Sequence, residues 1–136
     1  MKEPILISTL VNQEISKVWE AQTKPEHITG WNFAHESWHC PHASVDLRVG
    51  GTYVARMEAR DGSFGFDFEA VYTEIDPEKS FVYEFGGRRA HYRFSPQDGG
   101  TAVHIEFDPE TENSIEDQRN GWQAILNNFK DYCETI

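Results

Sequence analysis

The chain has 136 residues, a length that suits one domain, and its 38% hydrophobic and 13% aromatic content can build a core without disulfides or a metal. Its formal net charge of −11, from 23 acidic and 12 basic side chains, repels phosphate backbones and anionic bilayers, which disfavours nucleic acid and membrane surfaces as partners. Cys40 and Cys133 lie far apart and form no disulfide framework, the start lacks the apolar core of a signal peptide, and no stretch approaches the ~18 apolar residues of a membrane span, so no membrane insertion and a cytoplasmic location are expected.

Residues 4–11, PILISTLV, are apolar and β-branched and predict a first strand. Asn12 offers an N-cap, and Ile15, Val18, Trp19 and Gln22 recur at helical spacing, which predicts a short amphipathic helix over 13–22. Pro25 opens a second short helix to Ile28, ended by Gly30. Residues 31–43, WNFAHESWHCPHA, fit no period and read as a loop rich in aromatic residues and histidine.

From Ser44 to Phe107 the period is close to two. Six strands are expected, over 44–51, 52–59, 64–73, 81–85, 90–94 and 101–107, punctuated by Asp61-Gly62, the turn at 76–79, Gly86-Gly87 and the turn at 95–100. One face of the hairpins is a row of rings and the other is mostly polar, the pattern of an antiparallel sheet with one buried side. Ser114 starts the last element with Asp117 three residues on, as in a capping box. Ile115, Gln118, Trp122, Ile125, Leu126, Phe129 and Cys133 then fall on one stripe of a helix five to six turns long.

The order β, α, α, six β, long α predicts a single α+β domain over 1–136. A curved antiparallel sheet of six to seven strands would cover its apolar face with the C-terminal helix. Space left between them would be walled by Phe64, Phe66, Phe68, Tyr83, Phe85 and Tyr92 on the sheet and by Trp122, Ile125, Leu126 and Phe129 on the helix, the form of a small-molecule site. Loop 31–43 is placed as a lid, with Trp31, Phe33 and Trp38 against the ligand.

His35, His39, Cys40 and His42 are metal-ligand types, but their spacing matches no zinc pattern and Pro41 breaks the helix that would align them; no metal and no cofactor are assigned. His91 and His104 share the solvent phase with Arg93 and Glu106 and read as a cross-strand polar ladder. Asp67 and Glu69 are out of phase with the rings. Tyr83, Tyr92 and Gln123 are the polar groups expected near the cavity, and no catalytic residue is assigned. Arg48-Val49-Gly50-Gly51 reads as a turn or bulge between strands, with Arg48 pairing a carboxylate near the cavity mouth as the other reading.

Val18-Trp19, Trp31, the run Asp46-Leu47-Arg48-Val49-Gly50-Gly51, Asp61-Gly62, Ile75-Asp76-Pro77 and Gly121-Trp122 occur in an order that resembles the activator of heat-shock protein 90 ATPase homologue 1-like family, part of the START-like superfamily. The resemblance spans the whole chain. It implies a helix-grip fold with a deep cavity between sheet and C-terminal helix that accepts lipids, polyketides or flavonoid-like compounds. The expected function is therefore non-catalytic binding of a small hydrophobic or aromatic molecule. The alternatives are a cyclase or aromatase working through Tyr83 or Tyr92, and a stress-response protein whose acidic exterior meets a chaperone.

Overall fold

The computed structural model describes residues 3–136. Strand β1 (Ile5–Val11) leads into helices α1 (Ile15–Thr23) and α2 (Pro25–Ile28), followed by β2 (Trp38–Val45), β3 (Thr52–Ala59), β4 (Gly65–Asp76), β5 (Ser80–Phe85), β6 (Arg88–Gln97), β7 (Gly100–Phe107) and helix α3 (Ile115–Cys133). All seven strands join one antiparallel sheet in the order β1-β7-β6-β5-β4-β3-β2. The fold is the expected α+β helix grip: a curled half-barrel with α3 lying along its concave face.

Period two decides the two faces. On β5 and β6, Phe81, Tyr83, Phe85, Ala90, Tyr92 and Phe94 are buried, as are Val103, Ile105 and Phe107 on β7. The opposite phase carries polar residues: His91 sits across from Glu106 and Arg93 across from His104, with an Arg93–Glu106 ion pair at 3.8 Å. Leu126, Phe129 and Cys133 bury the expected stripe of α3, and Ser114 Oγ accepts the N–H of Asp117 at 3.0 Å, so this cap forms as read. Burial of this aromatic face, at roughly 25 cal/mol per Å², is the main term holding helix to sheet.

Three local expectations are corrected. Asn12 does not cap α1; Glu14 holds that position, and the Asn12 N–H donates to Glu134 Oε2 at 2.8 Å. The Gln13 amide donates to the Cys133 and Ile136 carbonyls, so the 12–13 segment is spent on closing the free end of α3. The second strand starts at Trp38 inside the expected loop. Pro41 is tolerated there because β2 is a sheet edge and its register slips between His39 and His42, a bulge that lets both Cys40 and Ala43 turn inward. Residues 46–51, expected as strand, form a turn in which the exposed Arg48 pairs with Asp46 at 2.8 Å. Gly50 adopts φ +87°, and a side chain at Gly51 would strike the Asp46 carbonyl. Arg48 therefore serves the turn and does not reach the cavity.

Among the described residues no helix is long and apolar enough to cross a membrane.

Candidate functional site

Sheet and helix do not meet everywhere. Between them lies a cavity of about 270 Å³. That is just under the ~300–1,000 Å³ common for small-molecule sites. Of the expected residues, Trp31, Phe66, Phe68, Tyr83, Tyr92, Trp122, Ile125, Leu126 and Phe129 border it. Strand register orients the space. Phe81, Tyr92 and Phe94 pack on Trp19 of α1 or its immediate neighbours at one end, and α1 closes that end. Phe66 and Phe68 pair with Met57 and Ala55 beyond the last residue of β5, so the other end opens beside the β5–β6 hairpin and the first half of α3.

Phe33, Trp38, Phe64 and Phe85 stand outside the lining, and Gln123 also faces away, donating to the Ser8 carbonyl. Phe85 is buried but seals the wall from behind, packed on Phe68 and Trp122. Phe33 is half-buried, its carbonyl accepting the Asn128 amide. Phe64 and Phe66 were expected in the interior, yet they are 60% and 44% exposed, because β3 and β4 project past β5, and of the two only Phe66 borders the cavity. Phe64 and Phe66 instead cluster with Trp38, at ring separations of 5.9 and 6.3 Å from it. From loop 31–37 only Trp31 and Asn32 reach the cavity. Trp31 stands edge-on to Phe129 at 4.9 Å and donates its indole N–H to the Ala21 carbonyl at 2.9 Å.

The polar wall combines Tyr83 and Tyr92, expected from strand phase, with Gln22, Asn32, Tyr53 and Arg88, which spacing did not single out. Asn32 donates to Tyr53 Oη at 3.1 Å, and the Tyr83 and Tyr92 hydroxyls share a hydrogen bond at 3.0 Å. Burial raises all of these phenols: Tyr53 and Tyr83 lie well above the usual tyrosine range, and Tyr92 is pushed up to about 12. They are neutral donors and acceptors near pH 7. Gln22 is only 2% exposed and borders the cavity, and among the described residues nothing pairs with its side-chain amide. Its signal was a polar residue on the apolar stripe of α1. Arg88, the only charged lining residue among the described residues, shares the inward phase of Ala90, Tyr92 and Phe94, which could have revealed it. Met57 and Ile105 complete the wall.

The loop histidines do not converge. His35 bonds Ser37 at 2.8 Å, His39 approaches Glu58 at 3.8 Å, and Cys40 is buried with its thiol pushed up by burial. Among the described residues no group of three or more His, Cys, Asp and Glu side chains is placed to hold a metal ion.

The family model described as "Activator of Hsp90 ATPase homolog 1-like protein" matches residues 12–134. The chain is similar to the AHSA1-like protein from Aeromonas hydrophila, with 40% identity over 96% of this chain and 93% of that one and a TM-score of 0.88. It is similar also to Chr148 from Cytophaga hutchinsonii, at 41% identity over 97% and 92% of the two chains and a TM-score of 0.83. A protein from Nitrosomonas europaea shares the fold at 18% identity, covering 98% and 95%, with a TM-score of 0.84. A search of curated proteins finds no match.

Proposed function

The chain belongs to the Activator of Hsp90 ATPase homolog 1-like family, and from that premise we propose that it holds a small hydrophobic or aromatic molecule in the cavity between its sheet and α3. One observation carries this reading: the cavity is walled by rings and aliphatic groups, and the Gln22 amide, bonded to no other described residue, is open to it rather than sealed in the core. A ligand that fills the space and offers that amide a hydrogen bond adds a directional contact to the burial of its apolar body. The volume suits a molecule of one or two rings or a short single chain, and is too small for an intact diacyl lipid.

Holding is favoured over turnover by the lining chemistry. Cyclisation needs a group that takes a proton near neutral pH. Among the described residues the wall offers amides, an arginine and phenols whose ionisation is pushed far up, and no carboxylate or imidazole.

The test is a titration with 2-naphthol, followed through tryptophan emission, since Trp31 and Trp122 both border the space. Saturable quenching is expected in the wild type and is lost in Leu126→Trp, which fills the cavity, provided circular dichroism shows that variant folded. Equal quenching in both proteins would place binding elsewhere and defeat the proposal.

A further inference from the structure

Resting on the cavity reading above, we propose that the ligand is an organic acid, its carboxylate held by Arg88 at the mouth and a hydroxyl or carbonyl at its far end meeting Gln22. Arg88 is the first residue of β6 and its inward phase carries it over the Phe85 ring, with the guanidinium carbon 4.7 Å from the ring centroid. A guanidinium has five N–H donors. Here one is engaged, Nη1 donating to the Asp108 carbonyl at 3.3 Å, and Arg88 forms no ion pair among the described residues.

The carboxylates nearest to it are committed elsewhere. Asp108 Oδ2 accepts the Arg89 N–H at 2.9 Å. Both oxygens of Glu110 accept backbone N–H groups, of Glu112 and Asn113, at 3.1 and 2.8 Å. Those hydrogen bonds, chiefly the Asn113 N–H with a minor share from Arg88, hold Glu110 below the usual carboxylate range. A half-buried cation at the edge of an apolar cavity, in a chain of net charge −11, is thus left with its Nε and Nη2 edge free. That edge fits a carboxylate with two parallel hydrogen bonds. A phosphate dianion would be met by one arginine only and repelled by the surrounding acidic surface, so a monoanion is the better match.

The far end is as specific. Asn32 bonds Tyr53 and Tyr83 bonds Tyr92, whereas the Gln22 amide bonds no other described residue and is open to the cavity. Arg88 pairs in register with Phe85, while α1, which carries Gln22, packs by Trp19 on Phe81 and Phe94; the two polar groups therefore bracket the rings from opposite ends.

The test compares 6-hydroxy-2-naphthoic acid, its methyl ester and 2-naphthoic acid by fluorescence titration at neutral pH. The wild type should bind the acid about ten- to a hundredfold tighter than the ester, the range for hydrogen bonds to charged groups. Arg88→Met should erase that preference while leaving the ester's affinity unchanged, and Arg88→Lys should keep part of it. Gln22→Leu should level the hydroxylated and unsubstituted acids without touching the preference for acid over ester. Equal binding of acid and ester by the wild type, or an acid preference that survives Arg88→Met, overturns the assignment and leaves the cavity reading standing. If none of the three binds to folded protein, both fall.

Discussion

The two ends of the concave face carry the same alternation of rings and meet opposite fates. At the α1 end, Phe81 is fully buried, stacked on Tyr92 at 4.5 Å and edge-on to Trp19 at 6.1 Å. At the open end, Phe64 and Phe66 continue that alternation along β4 and its approach, yet stand largely in solvent. Both ends are equally hydrophobic in sequence. They differ in what lies across from them: α1 and the adjoining strands at one end, the open mouth of the cavity at the other. Phase tells which way a side chain points, and only the lengths of neighbouring strands tell whether it meets anything.

The sharpest way to break this contrast is to delete one ring from each end. Phe81→Ala removes a ring that is enclosed on all sides and should cost about 3–5 kcal/mol in denaturant unfolding. Phe64→Ala should change stability by about 0.5 kcal/mol or less. Comparable losses from the two variants would mean that the open end is packed as tightly as the closed one.

The same contrast accounts for how far the sequence could be read. The stripe of α3, the strand phases and the count of seven strands were legible because each rests on local periodicity repeated over many residues. Strand β2 was displaced because Pro41 and three histidines hid an edge strand whose bulge breaks the alternation. The cavity's apolar wall was partly legible, since Tyr83, Tyr92, Trp122 and Phe129 follow from phase alone. Its polar groups were harder to find. Gln22, Asn32, Tyr53 and Arg88 come from four separate parts of the chain, and their convergence depends on the curl of the sheet, which no local pattern encodes.

Alkaline pH should attack the closed end as a unit. Tyr53, Tyr72, Tyr83 and Tyr92 are raised, in each case mainly by burial, with Tyr92 at about 12. An unfolded tyrosine ionises near pH ~10. Because the folded values lie above the unfolded one, the folded chain keeps protons that the unfolded chain gives up. The resulting stability is fully present below about pH 10 and is lost as pH climbs through 12, by on the order of a few kcal/mol. Tyrosinate absorbance and the loss of far-ultraviolet circular dichroism should therefore rise together. Ionisation of these phenols near pH ~10 with the fold intact would show that water already reaches the closed end.

Within that end, Tyr72 is an exception among the phenols. Its side chain is fully buried and its hydroxyl is the one buried side-chain polar atom without a hydrogen-bond partner among the described residues. Tyr72→Phe removes an unsatisfied group while keeping the ring that packs on Tyr53 and Phe81, so it should stabilise the protein by about 1 kcal/mol. A loss of stability would mean that the hydroxyl has a partner, most simply a water held behind the sheet.

A last pair of substitutions tests the flank of α3 beside the cavity mouth. Gly121 sits inside that helix, where glycine costs about 0.5–1 kcal/mol relative to alanine through the freedom it loses on folding. A Cβ added there meets nothing within 4 Å. Gly121→Ala should therefore raise stability by about that amount, with Trp122 still stacked on Phe107. At Gly30, near the other end of α3, the same change should go the opposite way, because a Cβ there runs into the Tyr132 ring, which is held in place by its hydroxyl's 2.6 Å bond to His27. Two glycine-to-alanine substitutions on one thermal-melt series thus carry opposite signs if one flank of α3 is open and the other closed. Equal signs would remove the asymmetry on which the position of the cavity mouth depends.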